Sequence, residues 1–159
     1  KRVALDCPVK NPTIEGVIIQ PLKIIADELG VILHMLRNDD PVFEKFGEVY
    51  FSEIKPGSVK AWKRNKNQTQ NLAVPSGEID LVIYDDRQDS TTRDSLFNCT
   101  LGRPDHYSLI RIPPLLWYGF RGRGDAPSLI ANCSSQPHDH ATSEKIHPES
   151  DLIPYTWPT

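Results

Sequence analysis

Apolar and polar residues alternate most clearly in the stretch 57–87. This stretch is typical of a short strand, a polar crossing, a second strand and a Pro-Ser-Gly turn, followed by a longer strand. Within the last strand Ile79, Leu81 and Ile83 lie on one face, because successive side chains of a strand point to opposite sides. The period of two therefore predicts a β-strand with one face buried in a core.

Shorter segments of similar character are spread over the rest of the chain. The further predicted strands are 14–23, 31–37, 48–54, 95–100, 107–112 and 128–133. Pro21 indicates an edge or a bend in the first of them. One helical turn is predicted over 40–47, where proline stands near the start and glycine at the end. Because turn residues separate many short strands, the pattern favours an all-β sandwich or barrel.

Chain length bears on the number of domains. The 159 residues suit one domain, since a chain of about 150 residues buries roughly 70% of its unfolded surface. Residues 1–13 are polar and contain two prolines, which is typical of an N-terminal arm, and residues 134–159 form a polar C-terminal extension. We therefore expect a single domain over 1–159.

Charge and hydropathy restrict the partners and the location of the protein. The net charge of -3 does not favour a nucleic-acid binder, which usually carries a basic excess. No apolar run approaches the roughly 20 residues that span a bilayer, and the N-terminus lacks the apolar segment of a signal peptide. We therefore expect a soluble, cytoplasmic protein that binds neither nucleic acid nor a membrane.

Cysteine and histidine positions bear on disulfides and metal binding. Cys7, Cys99 and Cys133 are widely spaced and form no C-x-x-C pair, which predicts reduced thiols rather than a disulfide framework or a zinc site. His138 and His140 form an H-x-H pattern in a polar segment beyond the last predicted strand. Coincidence explains that pattern better than a metal site does, and no metal ligand is assigned.

Four segments follow the motifs of one known family. Residues 59–63 take the place of L-R-G-L-H, residues 68–74 that of Q-x-K-L-V-x-V, and residues 77–92 that of G-x-I-x-D-V-x-V-D-x-R-x-x-S-x-T. Residues 112–120 align by spacing with I-P-x-G-x-A-H-G-F. From about residue 14 onward the chain thus resembles the dTDP-4-dehydrorhamnose 3,5-epimerase family, the metal-independent sugar-nucleotide cupins. The resemblance implies a double-stranded β-helix, also called a cupin or jelly-roll barrel, that forms a homodimer.

The positions that carry the family's chemistry differ in this chain. Enzymes of the family exchange protons next to the keto group of a dTDP-sugar, using a histidine base, a lysine and a tyrosine acid. By the resemblance, Lys63 stands where the base would be, Gln70 replaces the lysine, and 130–132 holds no tyrosine. Leu29 replaces an arginine that contacts the nucleotide diphosphate, and Tyr118 replaces the histidine before G-F.

The remaining polar residues suggest a remodelled site. We assign Lys63 as an electrostatic anchor for an enolate or phosphate, and Tyr118, or alternatively Tyr50, as the acid. Lys60 takes the place of a diphosphate-binding arginine. The candidate partners of sugar hydroxyls are Asn65, Gln70 and Asn132. The resemblance implies a nucleotide-sugar ligand and no cofactor.

Two functional hypotheses follow from this set. The first is a metal-independent epimerase or isomerase of nucleotide-linked keto-sugars in deoxysugar and polysaccharide synthesis. The alternative is a catalytically silent cupin that binds a sugar nucleotide or a protein, in which Lys63 is a solvated strand residue and Tyr118 belongs to the core. Alternation places Lys63 on the face of Ala61 and Val59, which favours an inward direction. An open cavity shared by Lys63, Tyr118 and Asn132 would favour the enzyme over the silent protein.

Overall fold

The computed structural model describes residues 12–159, which form twelve strands and one short 3-10 helix. The strands are β1 (Ile18–Pro21), β2 (Ile24–Ala26), β3 (Val31–Leu33), β4 (Glu48–Ile54), β5 (Val59–Asn65), β6 (Gln70–Ser76), β7 (Glu78–Tyr84), β8 (Leu96–Gly102), β9 (Ser108–Ile112), β10 (Trp117–Gly122), β11 (Ser128–Ser134) and β12 (Ser143–Lys145). The 3-10 helix spans His140–Thr142. The predicted N-terminal arm lies almost entirely outside the described residues.

Ten of the strands form two antiparallel sheets with a shared core. The first sheet has the order β1-β9-β6-β11-β4 and the second the order β12-β5-β10-β7-β8. Apolar side chains from the facing sides of both sheets make up one hydrophobic cluster, to which Leu72 and Ile110 contribute from the first sheet and Leu81 and Phe97 from the second. The predicted all-β cupin, or jelly-roll, architecture is therefore confirmed.

Strand β7 is buried on the face predicted from its alternation, and its opposite face is buried as well. Ile79, Leu81 and Ile83 are fully buried in the shared core, as expected. Val82 and Tyr84 on the opposite face are buried too, in a second cluster that contains Ile153 of the C-terminal extension. Both faces of the strand are covered because the extension folds back over the outside of the second sheet.

The loop after β7 is held by a buried carboxylate. Arg87 Nε donates to Asp85 Oδ1 at 2.9 Å, while the hydroxyls of Ser90 and Thr92 donate to Oδ2 at 2.6 and 2.8 Å. Burial by itself raises the pKa of Asp85, but these hydrogen bonds outweigh burial and hold the pKa well below its usual range. The backbone N–H of Thr91 donates to Glu15, which ties the loop to the chain before β1.

The predicted helical turn over 40–47 is wrong. Isolated hydrogen bonds such as Phe43 N–H to the Asp40 carbonyl make single turns there, and no helix follows. Gly47 is not a helix end: its N–H donates to the Ser134 carbonyl at 2.8 Å. A Cβ at this position would lie 2.2 Å from the backbone nitrogen of Gln136. Glycine is therefore needed because the backbone at this position passes close to the residues that follow β11.

Most predicted strand bounds agree with the structure, and two near the N-terminus do not. Strand β4 has the predicted bounds, whereas only residues 18–21 of the strand predicted over 14–23 form one, β1, and the separate strand β2 begins after its predicted end. The strand predicted over 31–37 ends at Leu33. The C-terminal extension adds the edge strand β12, which pairs with β5 and was not predicted. Among residues 12–159 no helix has the length and hydropathy needed to cross a bilayer.

Replacing Asp85 by asparagine keeps the size of the side chain but removes the charge that pairs with Arg87. We expect Asp85→Asn to lower the free energy of unfolding by about 3 kcal/mol, because a largely buried guanidinium loses its counter-ion. Denaturant unfolding measures the change. The matched control is Asp89→Asn, an exposed carboxylate of the same loop, which should change stability by less than about 0.5 kcal/mol. Similar effects of the two substitutions would contradict this account.

Candidate functional site

An open cavity of about 460 Å³ lies between the two sheets. Strands β4, β6 and β11 of the first sheet and β5, β10 and β12 of the second contribute its walls. The lining residues are Tyr50, Ser52, Lys60, Ala61, Trp62, Lys63, Leu72, Tyr118, Phe120, Ile130, Asn132 and Lys145. The cavity therefore lies toward the side of the molecule where β4 and β12 are the edge strands.

Four of the six predicted site residues meet at this cavity. Lys60, Lys63, Tyr118 and Asn132 line it, and the last three are the residues whose shared cavity favours an enzyme over a silent protein. Asn65 and Gln70 do not line it, because both side chains are buried behind the wall. Among the described residues that line the cavity there is no histidine and no carboxylate.

An irregularity in β5 brings two lysines to the same wall. Tyr118 of β10 pairs with Lys63, and Phe120 pairs with Lys60. The paired residues are therefore three positions apart in β5 but two positions apart in β10. Tyr118 and Phe120 share the inner face, and the extra residue of β5 therefore turns both of their partners inward. Strict alternation predicted that Ala61 shares the inner face with Lys63. In the structure Ala61 also packs against the second apolar cluster, on the outer face of the sheet. The bulge explains why Lys60 joins Lys63 in the cavity.

Lys63 lies in an environment that disfavours its charge. Burial lowers the pKa of Lys63, and the positive charge of Lys145 lowers it further. Glu48 acts in the opposite direction, with the smallest effect of the three. Lys145 faces Lys63 directly across the β12–β5 pair. The sequence provided no signal for Lys145, since the three residues of β12 show no apolar pattern.

Tyr118 is part of the core and of the cavity wall at once. It is buried among the apolar residues of the shared cluster and stands opposite Lys63 on the neighbouring strand. Burial raises the pKa of Tyr118 above the usual range, while the nearby Asn65 amide lowers it slightly. Its phenol therefore remains protonated at neutral pH and can donate a hydrogen bond.

A chain of side-chain amides holds Tyr50 and Asn132 in place. Asn132 Nδ2 donates to Tyr50 Oη at 2.8 Å and to Gln70 Oε1 at 2.5 Å. Gln70 Nε2 donates in turn to Gln68 Oε1 at 3.1 Å, and Gln68 Nε2 donates to the Pro137 carbonyl at 2.8 Å. Gln70, predicted as a substrate partner, thus accepts a hydrogen bond from Asn132 in this chain of amides. Because the Tyr50 oxygen accepts from Asn132, its own proton is directed elsewhere.

Lys60 lies near the mouth of the cavity and bridges two strands. Its ammonium group donates to Ser52 Oγ at 2.9 Å and to the Glu53 carbonyl at 2.7 Å. Both acceptors are uncharged, so the positive charge of Lys60 is not neutralised by them. Together with Lys145, it adds positive charge to the cavity wall, which suits an anionic ligand.

A second cleft of about 540 Å³ lies outside the barrel, and both arginines that line it are paired with carboxylates. Arg64 pairs with Asp86 and Glu144 and lies 4.4 Å from the centre of the Trp117 ring. Arg87 is held by Asp85. These contacts join β5 to the loop after β7 and to β12. The internal cavity, in contrast, carries cations without acidic partners among its lining residues.

Comparison with known proteins shows close relatives, although no protein-family model matches the chain. The chain is 36% identical over 146 residues to the probable low-salt glycan biosynthesis epimerase Agl13 of Haloferax volcanii, covering 91% of this chain and 90% of that protein. It is 28% identical over 148 residues to the spore coat polysaccharide biosynthesis protein SpsL of Bacillus subtilis, covering 92% and 97%.

A solved structure resembles the whole described fold. The crystal structure of a dTDP sugar isomerase from Desulfovibrio desulfuricans G20 superimposes with a TM-score of 0.90 at 49% sequence identity, covering 92% of this chain and 93% of that chain. The similarity therefore extends over nearly the full length of both proteins.

Proposed function

Because the chain belongs to the dTDP-4-dehydrorhamnose 3,5-epimerase family, the sugar-nucleotide cupins, we propose that it epimerises or isomerises a nucleotide-linked 4-keto-6-deoxy sugar. The observation that carries this proposal is the open cavity at which Lys63, Tyr118 and Asn132 meet. The names of its relatives support a place in the synthesis of a glycan or surface polysaccharide. Binding of the sugar nucleotide requires positive charge for the diphosphate, which Lys60 and Lys145 supply.

Proton exchange beside a keto group needs a base, a donor to the enolate oxygen and an acid. Tyr118 stands beside Lys63 on the wall of the second sheet and is suited to donate a hydrogen bond to the enolate oxygen. The cation formed at Lys63 when it holds the proton stabilises the same enolate. Asn65 is a structural neighbour of Tyr118 and Gln70 supports Asn132, so neither is proposed to touch the sugar.

Tyr50 is the better candidate for the acid that completes an epimerisation. Inversion at carbon requires the proton to leave one face and return to the other. Tyr50 belongs to β4 of the first sheet, whereas Lys63 and Tyr118 belong to the second sheet, on the other wall. Burial raises the pKa of Tyr50, with a smaller opposing effect of the Asn132 hydrogen bond, so its phenol is protonated when it meets the enolate.

A homodimer is proposed from the exposed hairpin formed by β2 and β3. Ile25 and Ile32 face each other across the pair and are 50% and 61% exposed, and Leu29 at the tip is 94% exposed. The hairpin joins neither five-stranded sheet. An isolated two-stranded hairpin with apolar side chains in water is marginally stable, so a second copy of the chain is its proposed partner.

A cytoplasmic location is also proposed. Cys99 and Cys133 are free thiols, and free thiols persist in a reducing compartment. A nucleotide sugar and a second copy of the chain are the proposed partners, with no nucleic acid and no membrane.

The proposed function is tested by proton NMR in deuterated water with dTDP-4-keto-6-deoxyglucose. We expect deuterium to enter at C3 or C5, and Lys63→Met to slow this exchange by roughly 100-fold or more, as the loss of a proton-transferring group does. Lys55→Met removes an exposed lysine outside the cavity and should leave the rate within about twofold. Absence of exchange together with calorimetric binding of dTDP would favour the silent sugar-nucleotide binder instead.

Separating deuterium exchange from inversion tests the placement of the acid. Tyr50→Phe should leave deuterium exchange largely intact but reduce formation of the inverted sugar by roughly 100-fold, because the proton can no longer be supplied from the opposite wall. Tyr118→Phe should slow the exchange itself, since the enolate loses its hydrogen-bond donor. Product configuration is followed by the coupling constants in the same NMR spectra. Equal loss of exchange and inversion in Tyr50→Phe would contradict this division of roles.

The dimer is tested by size-exclusion chromatography with light scattering. The double substitution Ile25→Asp and Ile32→Asp should convert a dimer into a monomer, because it places charges in the proposed apolar contact. The matched control is Leu152→Asp, at a residue of similar exposure in the C-terminal extension, which should leave the dimer unchanged. A wild-type protein that elutes as a monomer at all concentrations would refute the proposal.

A further inference from the structure

Three polar residues form a row across three neighbouring strands of the second sheet. Tyr118 of β10 faces Lys63 of β5, and Lys63 faces Lys145 of β12. Residues directly opposite each other in antiparallel strands share a face, with Cβ atoms about 5 Å apart. All three line the cavity. Two lysines are thus held side by side on the cavity wall.

Within residues 12–159, no carboxylate forms an ion pair with either of these lysines. Glu144, next to Lys145 in β12, is taken by Arg64 and by Lys66, the latter at 3.1 Å. The carboxylate that could have neutralised the pair therefore belongs to a different ion network.

The other ionisable groups around Lys63 leave its amine available. Glu48 of β4 favours the protonated amine, but its effect is smaller than those of burial and Lys145. Lys60 of the same strand is held by Ser52 and Glu53 near the mouth. Tyr118 and Tyr50 face the cavity as neutral phenols. The proposed reaction needs a base, and the described lining contains no imidazole or carboxylate to serve as one.

We propose that Lys63 is the catalytic base and that Lys145 is a positioning residue whose charge, directly opposite Lys63 on the neighbouring strand, favours the neutral form of the Lys63 amine. This inference rests on the proposed function. The Lys63 nitrogen takes the proton from the carbon beside the keto group, the electrons of that C–H bond form the enolate double bond, and the carbonyl electron pair moves to oxygen. The resulting ammonium ion of Lys63 then lies next to the enolate, and its proton is later released to solvent.

The physical basis is the cost of placing two positive charges side by side away from bulk water. Burial and the neighbouring cation both lower the pKa of Lys63, and both leave a larger fraction of neutral amine at neutral pH. A lysine beside another cation is a known way to obtain a reactive amine. Lys145 itself is exposed, so it remains in contact with solvent while it acts on Lys63.

The first experiment reads the amine directly and needs no substrate. Each lysine is labelled with trace acetic anhydride across a range of pH, and the extent of acetylation is measured by mass spectrometry for the wild type, Lys145→Met, Lys145→Arg and Lys55→Met. Lys63 should become reactive at lower pH than Lys55 in the wild type. Removing the charge in Lys145→Met should move the Lys63 profile to higher pH, while Lys145→Arg should keep it. Thermal unfolding confirms that each variant is folded.

The second experiment follows deuterium exchange of the keto-sugar against pH in the same variants. In Lys145→Met the rate at neutral pH should fall by roughly three- to tenfold and recover at higher pH, because the base is protonated more often. Lys145→Arg should restore the wild-type profile. A purely structural role of Lys145 would lower the rate equally at every pH.

The outcomes separate this inference from the proposed function. If the protein exchanges the sugar proton but Lys145→Met changes neither the pH profile of exchange nor that of Lys63 labelling, the inference is overturned. The proposed function then still stands. If Lys145→Met shifts the labelling profile of Lys63 but the wild-type protein exchanges no sugar proton, both the role of Lys63 as the base and the proposed function are overturned. If Lys145→Met shifts the labelling profile and the exchange profile together, the result supports the proposed roles of Lys63 and Lys145.

Discussion

The pairing of β5 with both of its neighbours is the constraint on which the site depends. Its hydrogen bonds to β10 and β12 fix which side chains stand opposite each other, and the extra residue between Lys60 and Lys63 fixes which of them turn inward. A shift of one residue in either pairing would send Lys63 to the outer face of the sheet. The chemistry of the cavity is therefore a consequence of register as much as of residue type.

The outer layer of the second sheet secures that register. Trp62, the neighbour of Lys63 in β5, is buried in the cluster formed with Trp117 and the C-terminal extension. Its indole N–H donates to the Pro148 carbonyl at 3.2 Å. Because alternate residues of the strand are anchored on the outside, the cavity side can carry lysines, whose burial is otherwise unfavourable.

The motifs that link this chain to its family have two different physical roles. Asp85, Arg87, Ser90 and Thr92 form a hydrogen-bonded loop that supports the fold and lies outside the cavity. Lys63 and Tyr118, which belong to two other motif segments, line the cavity instead, and Lys145 of the C-terminal extension lies beside Lys63. The loop therefore stabilises the backbone, whereas the residues of the cavity wall determine what the cavity can bind.

Local pattern in the sequence determined the strands and the identity of one buried face, because alternation is a property of neighbouring residues and needs no knowledge of the partner strand. The resemblance to the family, rather than the local pattern, indicated Lys60, Lys63, Tyr118 and Asn132, which line one cavity. The tertiary structure decided what no local pattern contains: the bulge that turns Lys60 inward, the covering of Val82 and Tyr84 by the extension, and the contact of Lys63 with Lys145 from 82 residues further along the chain. Those features arise from pairing between distant segments, whose register depends on the packing of the whole barrel.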